Sequence, residues 1–305
     1  MALPDTPSLF PDSSSLRDAG LLLRRHLAEA TDDGYFGPGS AIWQIHVEGI
    51  LAVGIGRALL LQLAHPWVAQ AVADHSTFRE QTLERLVHTI GAAGLLVFGS
   101  RAQADWTAAH IRHVHTRING VLREDVGRWR AGTPYTAEDP DALLWVLATL
   151  MDTTLLAYES VFGPLAAAAI EEYLEQAAQI GLLVGTKPGA APRTRGELAE
   201  YMDEMIGNGS VAVSSAAREA AAALERPNFP LRRRLLISPY RQAARAFASM
   251  TMPEPLLVQY APVLRLRGRP LYRLAGGLGR GIVRRLPESV RWDPLAQTAL
   301  RRTRV

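Results

Sequence analysis

Between Ala64 and Gly120 the chain carries two helix-opening signatures, Thr77-Phe-Arg-Glu80 and Ser100-Arg-Ala-Gln103, together with six of its eight histidines. In each signature the hydroxyl of the first residue and the carboxylate or amide of the fourth can satisfy amides left free at a helix start. One helix is expected to end at Phe98, with Gly99 as its C-terminal cap, and the next to run from Arg101 to about Leu122. No histidine follows His115. Imidazole is the commonest protein ligand for iron, copper and zinc, so this crowding predicts a single site built from a few neighbouring helices.

The rest of the chain reads the same way. Ser15–Ala30 is a first helix, and Asp32-Asp33-Gly34 and Gly37-Pro38-Gly39 mark a loop. Ser40 caps a helix carrying Ile42, Trp43 and Ile45 toward Val53. Gly54 and Gly56 follow, where missing side chains admit another helix or a flat ligand. Pro66 forces a kink or restart at His65. Asp139-Pro140 opens a helix to Phe162, with Asp as cap and Pro at the first helical position, and Gly163-Pro164 ends it. Further helices are expected over Leu165–Leu183, from Thr194-Arg-Gly-Glu197, and over Val211–Leu224, Leu231–Met250 and Leu256–Leu266. There is no run of strand alternation and no fixed-period repeat. Gly276–Gly281 superficially suggests a phosphate loop but follows no strand. The fold class is all-α.

With 305 residues, 48% hydrophobic, the chain can bury a substantial core. It has no cysteine, which excludes disulfides, thiolate metal ligation, iron–sulfur clusters and cysteine nucleophiles. The Pro/Ser-rich start, residues 1–14, reads as a disordered lead-in and has no basic segment followed by an apolar run, so no signal peptide is expected. The apolar run Gly49–Leu63 is interrupted by Arg57 and Gln62 and is too short for a bilayer, which needs ~20 apolar residues. Residues 15–260 are expected to form one helical domain. From Ala261 to Val305 eleven arginines face only Glu288 and Asp293, a local charge of +9 within a total of +3. This basic segment either folds back on the acidic body or touches nucleic acid, anionic lipid or an acidic partner. Nucleic-acid binding has no motif beyond charge, and there is no G-x-S-x-G for a serine hydrolase.

The segment HIRHVH is not a three-histidine metal cluster, because at 100° per residue its members point different ways. His110 and His113 project about 220° and 160° from His115. His115 shares an apolar face with Ile111, Ile118 and Leu122, and is either a core histidine bonded to a carbonyl or a ligand. On the preceding helix Arg85, His88 and Thr89 share a face by i, i+3 and i, i+4 spacing. They either pair locally or hold an anion, a carboxylate or oxygen. Gly91-Ala-Ala-Gly94 permits close approach beside them. His65 and His75 flank a short helix, as a capping group and a helix-end charge or as lining of the site. A ferritin-like site is disfavoured, since no histidine stands at the required Glu-x-x-His spacing.

Leu60-Leu-Gln-Leu-Ala-His-Pro66, Val72-Ala-Asp-His-Ser76, Arg85-Leu-Val-His-Thr89, Val97-Phe-Gly99 and His115-Thr-Arg-Ile-Asn-Gly120 resemble the family of latex-clearing protein (the rubber oxygenase) and MpaB-type oxygenases. The likeness extends through Gly132-Thr-Pro-Tyr135 and Leu144-Trp-Val-Leu-Ala-Thr-Leu150. It implies a globin-like bundle of helices enclosing haem b, with His115 as the proximal iron ligand and Arg85 and Thr89 on the distal side. In the rubber oxygenase a lysine precedes that threonine; here the position is His88. No counterpart of that enzyme's catalytic glutamate is placed, which argues against polyisoprene as substrate.

The expected function is therefore a haem-dependent oxygenase using dioxygen on an apolar, isoprenoid-like substrate. Arg85 would stabilise negative charge on oxygen, with Thr89 or His88 orienting it or relaying a proton. His65 and His75 are further candidates for the cofactor pocket, and the electron donor is not legible. The alternative is a bis-histidine haem protein, with His115 and His88 ligating both faces, for electron transfer or sensing. A cytoplasmic, membrane-peripheral location is expected.

Overall fold

The computed structural model describes residues 16–30, 32–75, 89–225, 232, 237–264, 281 and 283–302. Along these the chain is helical but for one short hairpin: α1 (Leu16–Ala28), α2 (Ala41–His46), a 3-10 segment (Gly49–Gly54), α3 (Ile55–Leu63), α4 (Pro66–His75), α5 (Thr89–Phe98), α6 (Arg101–His115), β1 (Asn119–Val121), β2 (Pro134–Thr136), α7 (Pro140–Phe162), α8 (Ala167–Val184), α9 (Arg195–Gly207), α10 (Ser215–Glu225), α11 (Ser238–Thr251), α12 (Glu254–Leu264), α13 (Glu288–Arg291) and α14 (Pro294–Arg302). The expected all-α class holds.

The caps that the sequence announces are in place. Ser40 Oγ accepts from Trp43 N, and Thr194 Oγ1 accepts from Glu197 N at 3.1 Å. Asp139 Oδ1 accepts from the amides of Asp141 and Ala142. Ser100 and Gln103 form the reciprocal capping box, at 3.2 and 2.9 Å. The Thr77 box lies outside the described residues. Pro66 breaks the apolar stretch as expected, turning α4 by 99° from the preceding Gly49–Leu63 helix.

At that break Ala64 N is shared between Leu60 O and Leu61 O, and the core supplies both carbonyls with a further donor. His65 N bonds Gln62 O instead of Leu61 O. The indole of Trp145, wholly buried on α7, donates to Leu61 O at 2.9 Å, and the buried Tyr260 hydroxyl of α12 donates to Leu60 O at 2.8 Å. Satisfying these groups is obligatory in a dry interior. The central helix α7 thereby fixes α3, and it also packs against α8, α9 and the 3-10 segment.

Gly54 is where the 3-10 segment meets α7: a Cβ there would stand 2.6 Å from Thr153 Cγ2. The close approach expected at Gly54 is thus made by a helix, whereas Gly56 faces open space. Gly54→Val is expected to destabilise the fold by roughly 1–3 kcal/mol through overpacking, read as a lower midpoint in urea with unchanged slope.

Two expectations need correcting. Helix α6 stops at His115, not near Leu122, and the chain enters the two-stranded antiparallel sheet β1–β2, although no strand was expected. The cause is competition for backbone groups. Ile118 O accepts from Ala137 N, and Leu122 exchanges bonds with Thr133 and Gly132, so the segment after His115 is held by the returning chain. Gly120 lies against the Tyr135 ring, where a Cβ would meet the hydroxyl oxygen at 2.7 Å. Ile118 and Leu122 therefore belong to this hairpin region and not to the helical face of His115.

The basic C-terminal stretch, over residues 283–302, packs on the body. Helix α14 runs along α1, burying Ala296 and Ala299, and Leu295 fills the space beside Gly94 of α5. Asp293 N donates to Val47 O at 2.7 Å. Arg291 Nε stands 2.9 Å from the buried carboxylate of Glu48. Arg302 Nη1 donates to the Leu27 and Phe98 carbonyls at 3.3 and 3.1 Å.

Candidate functional site

His115 ends α6 at the seam between that helix and the hairpin. Its neighbours in HIRHVH point elsewhere: His110 and His113 are exposed, His110 stacked on Trp106 and His113 bonded to Arg117 at 2.8 Å. His115 is half-buried, and its Nδ1 is an enclosed atom with no hydrogen-bond partner among the described residues. Burial pushes its pKa below the ordinary imidazole value, and the Glu138 carboxylate partly opposes that shift. The ring is therefore neutral at pH 7, the form in which imidazole binds metals.

Helix α4 brings His75 to the same seam. Its Nε2 lies 2.9 Å from the carbonyl oxygen of Asn119, four residues past His115, so this exposed ring ties α4 to β1. Beside it Asp74 receives Gln70 Nε2 at 3.0 Å, the buried Tyr135 hydroxyl at 2.8 Å and Arg123 Nη2 at 2.5 Å. Burial and then the Asp74 bond raise the Tyr135 pKa, keeping it a neutral donor. This latch holds the hairpin against α4 and thus the turn that follows His115. Asp74→Ala is expected to leave Tyr135 unpaired and cost roughly 1–3 kcal/mol, measurable as a lower unfolding midpoint.

The other predicted residues disperse. His65 is buried at the α3–α4 break, its Nδ1 accepting from Trp67 N at 3.3 Å and its ring beside Trp67 and Trp129. Burial, with a smaller contribution from Arg128, pushes its pKa down to about 4. It acts there as a neutral cap. Thr89 opens the described part of α5 and is exposed. Arg85 and His88 lie outside the described residues.

Two titratable groups were missed by sequence reasoning. His46, at the end of α2, stacks on Tyr173 of α8 with ring centroids 6.0 Å apart, and burial pushes its pKa down to about 4. Glu138 sits between the Tyr135 strand and the Asp139-Pro140 cap. Its position one residue before a firm helix cap was the available signal. Among the described residues, no group of three or more His, Asp or Glu side chains gathers as a bare metal ion requires.

The family described as ER-bound oxygenase mpaB/B′/rubber oxygenase, catalytic domain, matches residues 43–302. No curated protein and no solved structure matches the chain. One described helix, Pro140–Phe162, is long and apolar enough to cross a membrane, yet 56% of its apolar window is buried inside the protein. The matched span runs from within α2 to the end of α14 and takes in every residue of the seam around His115, and the chain belongs to the MpaB/rubber oxygenase catalytic-domain family.

Proposed function

We propose that this oxygenase-family protein would hold haem b through the His115 imidazole and oxidise an apolar, isoprenoid-like small molecule with dioxygen. The observation that carries the reading is His115 itself: a neutral, half-buried ring whose enclosed Nδ1 bonds no described residue, at the end of a helix inside the family-matched span. A lone imidazole is too few ligands for a bare ion but would suit a porphyrin-held iron, which brings its other ligands with it. No competing multi-residue metal site occurs among the described residues.

Haem, when bound, supplies the redox-active iron at which dioxygen becomes reactive. The residues of the chain divide the remaining work. His115 fixes the cofactor from one side and, being neutral, offers a lone pair without a proton to lose. The Arg85 guanidinium, permanently charged, would stabilise negative charge developing on oxygen. Thr89 would donate a hydrogen bond to it, and His88 would orient it or pass a proton. His75 and Asp74 hold α4 against the hairpin and so keep the His115 turn in register. His65 contributes to the α3–α4 corner. Peripheral attachment to a membrane would bring an apolar substrate within reach, consistent with the ER-bound members named in the family description.

Titration of the purified protein with hemin tests this. The wild-type chain is expected to develop a Soret band saturating at one equivalent, and His115→Ala to weaken binding at least about 100-fold while keeping its helical circular dichroism. Equal hemin binding by both proteins would overturn the assignment of His115.

A further inference from the structure

We infer that Glu138 is the positioning residue for His115: its carboxylate accepts the Nδ1 proton of the imidazole and so orients Nε2 toward iron. The inference rests on the haem reading above and adds to it a residue on a different element.

Five observations converge. His115 Nδ1 is enclosed and unpartnered, and an enclosed polar group left without a partner costs roughly 1–3 kcal/mol. A site that tolerates such a deficit needs an acceptor close by. The turn carrying His115 is bonded to the segment carrying Glu138: Ile118 N donates to His115 O at 3.0 Å, and Ala137 N donates to Ile118 O at 2.9 Å. Glu138 thus follows directly on the residue paired with that turn. Its backbone is fixed on both sides, by Thr136 Oγ1 accepting from Glu138 N at 3.2 Å and by the Asp139 cap of α7. Its carboxylate is exposed and takes no hydrogen bond or ion pair among the described residues. The other charges nearby are committed: Asp139 caps α7, Asp74 is bonded by Gln70, Tyr135 and Arg123, and Arg117 bonds His113.

The chemistry supplies the reason. A metal-bound histidine is held in one tautomer by the acceptor of its second ring proton, and a carboxylate acceptor gives the ring more imidazolate character and a stronger bond to iron. The Glu138 charge already acts on the His115 ring, and the proposed bond forms when this exposed side chain turns onto Nδ1. Glutamine at 138 keeps the shape and can still accept through its carbonyl, but lacks the charge; alanine removes the acceptor.

The test is the iron–histidine stretching band in resonance Raman spectra of the ferrous protein reconstituted with hemin, for wild type, Glu138→Gln and Glu138→Ala. The band is expected at its highest frequency in wild type, lower in Glu138→Gln and lowest in Glu138→Ala, with the iron midpoint potential rising in the same order. Identical band positions in all three, with hemin bound, would overturn the role of Glu138 while leaving the haem reading intact. Failure of the wild-type chain to bind hemin would overturn both.

Discussion

Replacing Arg57 by alanine is expected to cost roughly 3–5 kcal/mol of stability, the range for breaking a buried charged pair by removing one partner. The guanidinium is 2% exposed, carried on the first turn of α3. It donates through Nη1 to Thr153 Oγ1 at 2.6 Å, through Nη2 to Asp152 Oδ2 at 2.6 Å and to Thr251 O at 3.0 Å, and through Nε to Thr251 O at 3.3 Å. One side chain thus joins α3, α7 and the end of α11. Burial lowers the Arg57 pKa and the Asp152 charge opposes that shift, but guanidinium remains charged at any working pH. Alanine would leave the Asp152 carboxylate partly enclosed without its counter-ion and open a cavity at the helix crossing. Urea unfolding at pH 7.5 reads the loss. Arg57→Met, which fills the volume without the charge, is expected to lose about as much if Asp152 stays charged, and Arg57→Met/Asp152→Leu to recover part of it. Unaltered stability in Arg57→Ala would mean the network contributes nothing net.

Acid is expected to unfold the protein through its buried imidazoles. His46 and His65 have folded pKa values of about 4, against an ordinary value of 6.5, and in both burial is the main cause. As pH falls through 6.5 the unfolded chain takes up protons at these positions and the folded chain does not. Their stabilising contribution is therefore complete above pH 6.5 and is lost progressively as pH falls toward 4. At about 1.4 kcal/mol per unit, each ring accounts for roughly 2 kcal/mol lost by pH 5 and roughly 3 by pH 4. Carboxylates titrate in the same window, so the decisive comparison is between variants. His46→Phe, which keeps the stack on Tyr173, should flatten the dependence of unfolding free energy on pH between 6.5 and 5 by about one proton. A wild-type slope unchanged by this substitution would contradict the assignment.

How far the sequence led depended on the range of the interactions involved. Caps are local: Ser40, Ser100, Asp139 and Thr194 each bond amides two or three residues away, so spacing alone revealed them. The break at Pro66 follows from a missing amide proton and needed no tertiary information. The end of α6 was different. Ile118 continues the apolar period of that helix, and nothing in its neighbourhood announces that Ala137, far along the chain, will take its carbonyl. Pairing at that distance overrides local pattern. His115 was aimed inward on a helical face that is in fact shorter than supposed, and the ring is nonetheless half-buried where α6 gives way to the hairpin. His46 escaped notice for the opposite reason: it stands alone in a short helix, and only the arrival of Tyr173 from α8 encloses it. The basic C-terminal stretch gave its charge but not its contacts. Arg291 faces Glu48, and Arg302 bonds backbone carbonyls of α1 and α5, neither of which a charge count contains.

The cofactor assignment is most directly tested by the absorption spectrum of the purified, hemin-loaded protein after reduction, recorded with and without carbon monoxide. A Soret band that shifts on adding carbon monoxide, and that is absent from His115→Ala, is predicted. A protein that takes up no hemin would contradict the account at its centre, and a low-spin spectrum indifferent to carbon monoxide would replace the open oxygen site with ligation by two histidines.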